Sequence, residues 1–85
     1  MVKSDTPILV YGTSWCPDCI RVRKFLDSHF VDYQWFNINE DARACAFVEK
    51  TNRGYQSVPT IVWPDGSYLV EPTLNQLITK LGLVE

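Results

Sequence analysis

The chain has 85 residues, room for one domain, and a chain this short hides about 60–65% of its unfolded surface, so its core must be simple. Hydrophobic residues at 46% and aromatic residues at 13% exceed what a disordered chain carries, and no stretch approaches the roughly 20 apolar residues that span a bilayer. A formal net charge of -2 gives no general attraction to phosphate backbones, which sets nucleic acid and a membrane aside as partners.

The opening stretch MVKSDT leads straight into a short strand-like run, without the apolar h-region and small-residue cleavage site of a secretory signal; the expected compartment is the cytoplasm. PILVYG, Pro7 to Gly12, is an apolar run ending in glycine, too short for a helix and suited to a strand buried on both faces. From Pro17 the period changes. Cys19, Val22, Phe25, Leu26 and His29 share one side at helical spacing, while Arg21, Arg23, Lys24 and Asp27 take the other, which predicts an amphipathic helix.

YQWFNI, Tyr33 to Ile38, reads as a strand, and NEDARACAFVEKTN as a second helix with Asn39 as its cap, Glu40 and Asp41 in the first turn and Lys50 near the end. RGYQS is a polar loop. VPTIVW and SYLVE are strands joined by PDG, a hairpin turn signal. PTLNQLITKLGLVE is a last helix with Leu74, Leu77, Ile78 and Leu81 on one stripe and Gly82 at its end. The order β-α-β-α-β-β-α implies an α/β fold, with one parallel crossover and an antiparallel hairpin in a single four-stranded mixed sheet, and helices on both faces.

Three cysteines is an odd number, which argues against a fully paired secreted framework; in a reducing compartment a close pair is catalytic or metal-binding more often than structural. The pair lies in SWCPDCIRV, at the carboxyl end of the first strand, where open α/β sheets bind ligands. Pro17 suits the first helical turn, since its missing N–H would lack an intrahelical partner there, and this makes Cys16 the N-cap. Its sulfur can accept from the free amides of Asp18 and Cys19 and faces the positive end of the helix dipole, so the thiolate is favoured. The thiolate is the attacking species in disulfide exchange. Cys16 is therefore expected as an exposed nucleophile and Cys19, one turn inward and more enclosed, as the resolving thiol. Asp18 opposes ionisation of the sulfur and Arg21 favours it, so Asp18 should make the protein a better reductant.

YGTSWCPDC, followed about 40 residues later by SVPT and then DGS, resembles the thioredoxin superfamily, and within it the glutaredoxin-like proteins and their mycoredoxin branch, over nearly the full length. The resemblance implies a thioredoxin-like fold, a thiol-disulfide oxidoreductase cycling between a dithiol and a Cys16–Cys19 disulfide, and no bound cofactor. It also implies a cis Val58-Pro59 bond beside the cysteines, which would leave the Val58 backbone free to pair with a substrate strand. Two departures from glutathione-using members bear on the substrate. Thr13 stands where they carry a basic residue, and VEPT replaces a glycine pair with acidic residues. Both groups hold the carboxylates of glutathione, so mycothiol or a protein disulfide becomes the better fit, glutathione the weaker one, and a monomer the expected state.

Beyond Thr13, Pro17, Val58 and Pro59, the candidate substrate-binding residues are Trp15, a flat wall beside the nucleophile, and Arg21 and Gln56, which could meet a carboxylate or peptide carbonyl. Arg53 reads as a solvated residue. His29 lies about 15 Å along the helix from the cysteines, too far to be their base. Cys45, in the small-residue run ARACAF, behaves as a small hydrophobe. Zinc needs four ligands, and Cys45 and His29 lack ligand spacing to the pair. Two further readings are a carrier of an iron-sulfur cluster bridged between two chains through Cys16, and a thioredoxin-like protein reduced by an NADPH-dependent flavin disulfide reductase.

Overall fold

A computed structural model describes residues 7–82, so the expectations for MVKSDT and for the residues after Gly82 lie outside the described residues. The described elements are β1 (Ile8–Gly12), α1 (Pro17–Ser28), β2 (Tyr33–Asn37), α2 (Ala42–Thr51), β3 (Thr60–Val62), β4 (Tyr68–Val70) and α3 (Leu74–Leu81). They follow the expected order. The sheet runs β2-β1-β3-β4, with β1 parallel to β2 and antiparallel to β3, and β3 antiparallel to β4. A parallel pair needs a long crossover to return the chain, usually a helix, and α1 supplies it.

Alternation along β1 divides the core between the two faces of the sheet. Ile8 and Val10 join Val22 and Leu26 of α1, Leu77 of α3, Ile61 and Trp63 on one side. Tyr11 joins Ile38 and the α2 residues Ala44 and Val48 on the other. Both faces of β1 are thus covered, as its unbroken apolar run requires. The hairpin closes where PDG stands, with the Trp63 N–H donating to the Ser67 carbonyl at 2.8 Å and the Gly66 N–H donating to the Trp63 carbonyl at 2.9 Å. The Asp65 carboxylate accepts from the Ser67 hydroxyl at 2.6 Å and the Ser67 amide at 2.9 Å, which holds its pKa below the usual carboxylate range.

Several local expectations change. The cap of α2 is Asp41, not Asn39: its carboxylate accepts from the Arg43 and Ala44 amides at 3.0 and 3.1 Å. Asn39 is already engaged in a turn in which the Asn37 side chain accepts its N–H at 2.9 Å, and the run NED therefore starts its helix two residues late. The paired strands are shorter than VPTIVW and SYLVE, because the ladder starts only after Pro59, which has no N–H to give. On α3, Leu77 is buried and Leu74 is exposed at the first turn, so the stripe is narrower than its spacing suggests. Thr73 and Gln76 form a capping box at that end, and Gly82 closes the other in the left-handed region at φ 73°. His29 caps the end of α1 and is exposed, in edge contact with Phe25 at 4.4 Å between ring centres.

Candidate active site: a cysteine pair at a helix start

The switch from strand to helix at Gly12–Pro17 places the two cysteines. Pro17 opens α1, Cys16 takes the extended conformation of an N-cap at φ -78° and ψ 118°, and the helix then brings Cys19 back over the same end. The Cys19 amide donates to the Cys16 Sγ at 3.3 Å. The Asp18 amide, the other expected donor, does not bond to it; the sulfur accepts from the third helical amide. Both cysteines are free thiols. They lie close enough for the Cys19 thiol to donate to the Cys16 sulfur.

Cys16 was expected to be exposed, and it is only 8% exposed. Capping turns its sulfur inward over the first turn, while Trp15, at 70% exposure, and Pro17 stand outside it. Cys19 is wholly buried. Burial, then the hydrogen bond to Cys16, push its thiol up to about 12, against a smaller opposing contribution from the Thr13 N–H, which donates to its sulfur. Thr13 is itself buried, and its hydroxyl has no partner among the described residues.

What holds Cys19 in place is a feature that was not read from the sequence. A Cβ added to Gly12 would sit 2.5 Å from the Cys19 Sγ and 2.9 Å from Cη2 of Trp35, closer than side-chain carbons approach such atoms. Gly12 is therefore a close-approach glycine: its missing side chain is the space in which the resolving sulfur and the indole meet. Arg23, one turn beyond Cys19 on α1, stacks its guanidinium over the Trp35 ring at 4.1 Å from the centre. A glycine at a strand end beside a CxxC motif was the available signal. The tryptophan could be found only from the β1–β2 pairing, in which Val10 faces Trp35.

The other candidates fall into two groups. The Val58-Pro59 bond is cis, Pro59 is fully buried, and pairing of β3 with β1 begins at Thr60 opposite Tyr11, so Val58 stands beyond the ladder. Continuing that register carries Val58 toward Thr13 and hence toward the cysteines. The loop before it is braced by Thr60, whose hydroxyl donates to the Ser57 carbonyl at 2.8 Å and accepts from the Asn52 amide at 3.3 Å. Asp18 and Arg21 form an ion pair at 3.0 Å on the half-exposed first turn of α1, each partly neutralising the other's effect on the sulfur. Gln56 is exposed and its amide donates to Glu49 of α2 at 2.8 Å, and Arg53 is exposed with a left-handed backbone at φ 58°. The structure thus gathers Thr13, Trp15, Cys16, Pro17, Asp18, Cys19 and Arg21 at one helix start, while Gln56 is tied to α2. Among the described residues no group of three or more His, Cys, Asp or Glu side chains could hold a metal ion.

A sulfur capping a helix with a second sulfur one turn away is chemically suited to forming, exchanging and reopening a disulfide. The glutaredoxin family model matches residues 8–68. A protein named as a glutaredoxin in Mycobacterium tuberculosis is 34% identical over 74 residues, 87% of this chain and 88% of its own. Mycoredoxin 1 of Corynebacterium glutamicum is 31% identical over 74 residues, covering 87% of this chain and 91% of its own. Among solved structures, a thioredoxin-like protein superposes with a TM-score of 0.74 at 32% identity, over 85% of this chain and 96% of its own. A glutaredoxin from Archaeoglobus fulgidus superposes with a TM-score of 0.73 at 27% identity, over 91% of this chain and 87% of its own. The mixed sheet with three helices is the thioredoxin-like fold.

Proposed function

The chain belongs to the glutaredoxin family of thiol-disulfide oxidoreductases, and from that premise we propose that it reduces mixed disulfides between proteins and a low-molecular-weight thiol, and disulfides within proteins, through the Cys16–Cys19 pair. The reading is carried by one observation, the Cys16 sulfur in the N-cap position with the Cys19 amide on it and the Cys19 thiol beside it. In the first step the Cys16 thiolate attacks a substrate disulfide R–S–S–R′, forms Cys16–S–S–R and expels R′S⁻, which takes up a proton. In the second the Cys19 thiolate attacks the Cys16 sulfur, forming the internal disulfide and expelling RS⁻. Two electrons pass from the dithiol to the substrate. A small thiol, or a flavin disulfide reductase, returns them.

The remaining candidate residues then divide the work. Trp15 offers an exposed ring beside Cys16 for the substrate to lie against. The Val58 backbone, outside the β3 ladder, pairs with an extended substrate chain, and Pro59 keeps that edge open by donating nothing. Pro17 keeps the first turn helical and Asp18 moderates the thiolate. Arg21 can exchange its Asp18 partner for a substrate carboxylate, a small cost on an exposed pair. Gln56 would have to leave Glu49 to contribute. Because Thr13 is buried and uncharged where glutathione users carry a cation, mycothiol is the favoured small thiol, in a cytoplasmic and reducing setting with the chain acting as a monomer.

The test compares turnover of a mycothiol mixed disulfide, a glutathione mixed disulfide and insulin by wild type and by Cys19→Ser. The expected pattern is preference for the mycothiol substrate over glutathione, with the variant keeping mixed-disulfide turnover and losing insulin reduction. Equal or better turnover of the glutathione substrate would overturn the choice of thiol. Unchanged insulin reduction in the variant would remove Cys19 from the mechanism.

A further inference from the structure

The resolving thiol poses a problem that the family chemistry does not answer. It is buried, its thiolate is strongly disfavoured, and it must nevertheless attack. Among the described residues the groups around it are few. Cys16 and Asp18 lie on its own helix, with Arg21 paired to Asp18. From β1 come Gly12 and the Thr13 amide, and from β2 the uncharged ring of Trp35, with Arg23 of α1 behind it.

Trp35 and the Cys19 sulfur share the space over Gly12, and the atoms of the indole that enter it, Cη2 and Cζ3, belong to the rim of its benzo ring. A ring rim carries the positive part of the aromatic quadrupole, and sulfur at a ring edge is a favourable contact. A guanidinium over the ring face draws electron density from the rim, and the 4.1 Å stacking of Arg23 puts it there.

We propose that Trp35 and Arg23 are positioning residues for the resolving step: the indole rim, polarised by the guanidinium on its face, holds the Cys19 sulfur toward Cys16 and stabilises its negative charge as it attacks. The inference rests on the dithiol reading above. In the step concerned, the Cys19–Cys16 bond forms as the Cys16–SR bond breaks, the electron pair of the broken bond leaves on RS⁻, and the proton lost by Cys19 passes to solvent.

The two steps separate when a Cys45→Ser protein is mixed with the disulfide of 2-nitro-5-thiobenzoate under stopped flow. The first equivalent of coloured thiolate reports attack by Cys16, and the second reports its displacement by Cys19. Trp35→Leu is expected to keep the first phase within about twofold and to slow the second by up to about tenfold, the upper end of a sulfur–aromatic contact. The pH midpoint of the second phase should move upward. Trp35→Phe, which keeps an aromatic rim, should recover part of the loss, and Arg23→Gln should slow the second phase by about two- to fourfold. A second phase unchanged in Trp35→Leu would overturn the proposal, as would equal slowing by Leu and Phe with an unmoved midpoint, since that is packing alone. If Trp35→Leu fails to fold, Arg23→Gln, altered at a partly exposed helical position, decides alone: an unchanged second phase overturns it. A wild-type protein with no first phase would instead sink the dithiol reading.

Discussion

The thiols at the start of α1 and the thiol in the middle of α2 are made of the same atoms and face different surroundings. Cys16 caps a helix, with a backbone amide donating to its sulfur. Cys45 sits one turn before Glu49, and its thiol is pushed up by partial burial, by the negative charge of Glu49 and by the hydrogen bond it donates to that carboxylate. Position in the helix decides reactivity here. At the N-terminus amides have no helical partners and can serve a sulfur, whereas in the middle every amide is used and a carboxylate is the nearest polar group. Cys19 stands between these cases, close to the reactive sulfur but as enclosed as a core residue.

The largest expected effect removes the capped sulfur. Cys16→Ser should lower disulfide reduction to background, a loss of about a thousandfold or more, because the thiols of Cys19 and Cys45 are both pushed toward the protonated form and are poor replacements in the first attack. Cys45→Ser should leave the rate unchanged. Insulin turnover measured for both variants checks the pair, and a Cys45→Ser loss comparable to that of Cys16→Ser would break the contrast.

The next effect is on pH. The Cys19 thiol is raised from 9.0 to about 12, first by burial, so it stays protonated throughout the neutral range. In the mixed disulfide the contribution of the Cys16 sulfur is gone and burial remains, so the release phase should still climb as pH rises above neutral, as the thiolate fraction does below its midpoint. Stability moves the opposite way. A thiol whose acidity is weaker in the folded state stabilises that state in full below its unfolded value, and this contribution is lost as pH rises from about 9 toward 12. Chemical denaturation of the reduced protein across that window should show falling stability, and Cys19→Ser should flatten the fall.

Much of this arrangement could be read from the sequence because its determinants are local. The change of period at Pro17 marks the end of the strand and the start of the helix within a few residues, and that alone makes Cys16 a cap. The run NED misleads because Asn39 and Asp41 are both good caps: the Asn37 side chain accepts the Asn39 amide in a turn, and Asp41 caps the helix instead. The convergence of Trp35 and Cys19 on the space over Gly12 is not readable from the sequence. It depends on β2 lying parallel to β1 in one register out of several, and on Arg23, assigned by periodicity to the solvent side, folding back over the indole. The low exposure of Cys16 escaped for a related reason, because periodicity says which face a residue takes and not which way a capping side chain turns.

Gly12→Ala sharpens the comparison from the side of the strand. The new Cβ would need to occupy a point 2.5 Å from the Cys19 Sγ and 2.9 Å from the rigid Trp35 ring. Overpacking of this kind costs about 1–3 kcal/mol, which for a domain of this size lowers the melting temperature by roughly 4–8 °C per kcal/mol. Because the sulfur is the more mobile neighbour, it should be displaced, slowing the release phase by about tenfold while alkylation of Cys16 changes little. Thermal melts and alkylation rates on one preparation separate the two consequences. A variant as stable as wild type with an unchanged release phase would mean that the strand end gives way instead.

The smallest effect concerns how much of the quietness of Cys45 belongs to its carboxylate neighbour. Glu49→Gln removes the charge and weakens the acceptor, and the same side chain is also held by the Gln56 amide at 2.8 Å, so its position should survive the change. With two of the three causes reduced and burial left in place, the Cys45 thiol becomes easier to ionise but does not reach ordinary reactivity. In a Cys16→Ser, Cys19→Ser background, alkylation of Cys45 at neutral pH should rise by about two- to fivefold, the scale of a single exposed charge interaction. A larger rise would give Glu49 the main part in silencing this thiol. No rise would leave burial in the middle of a helix as the whole difference between the two regions.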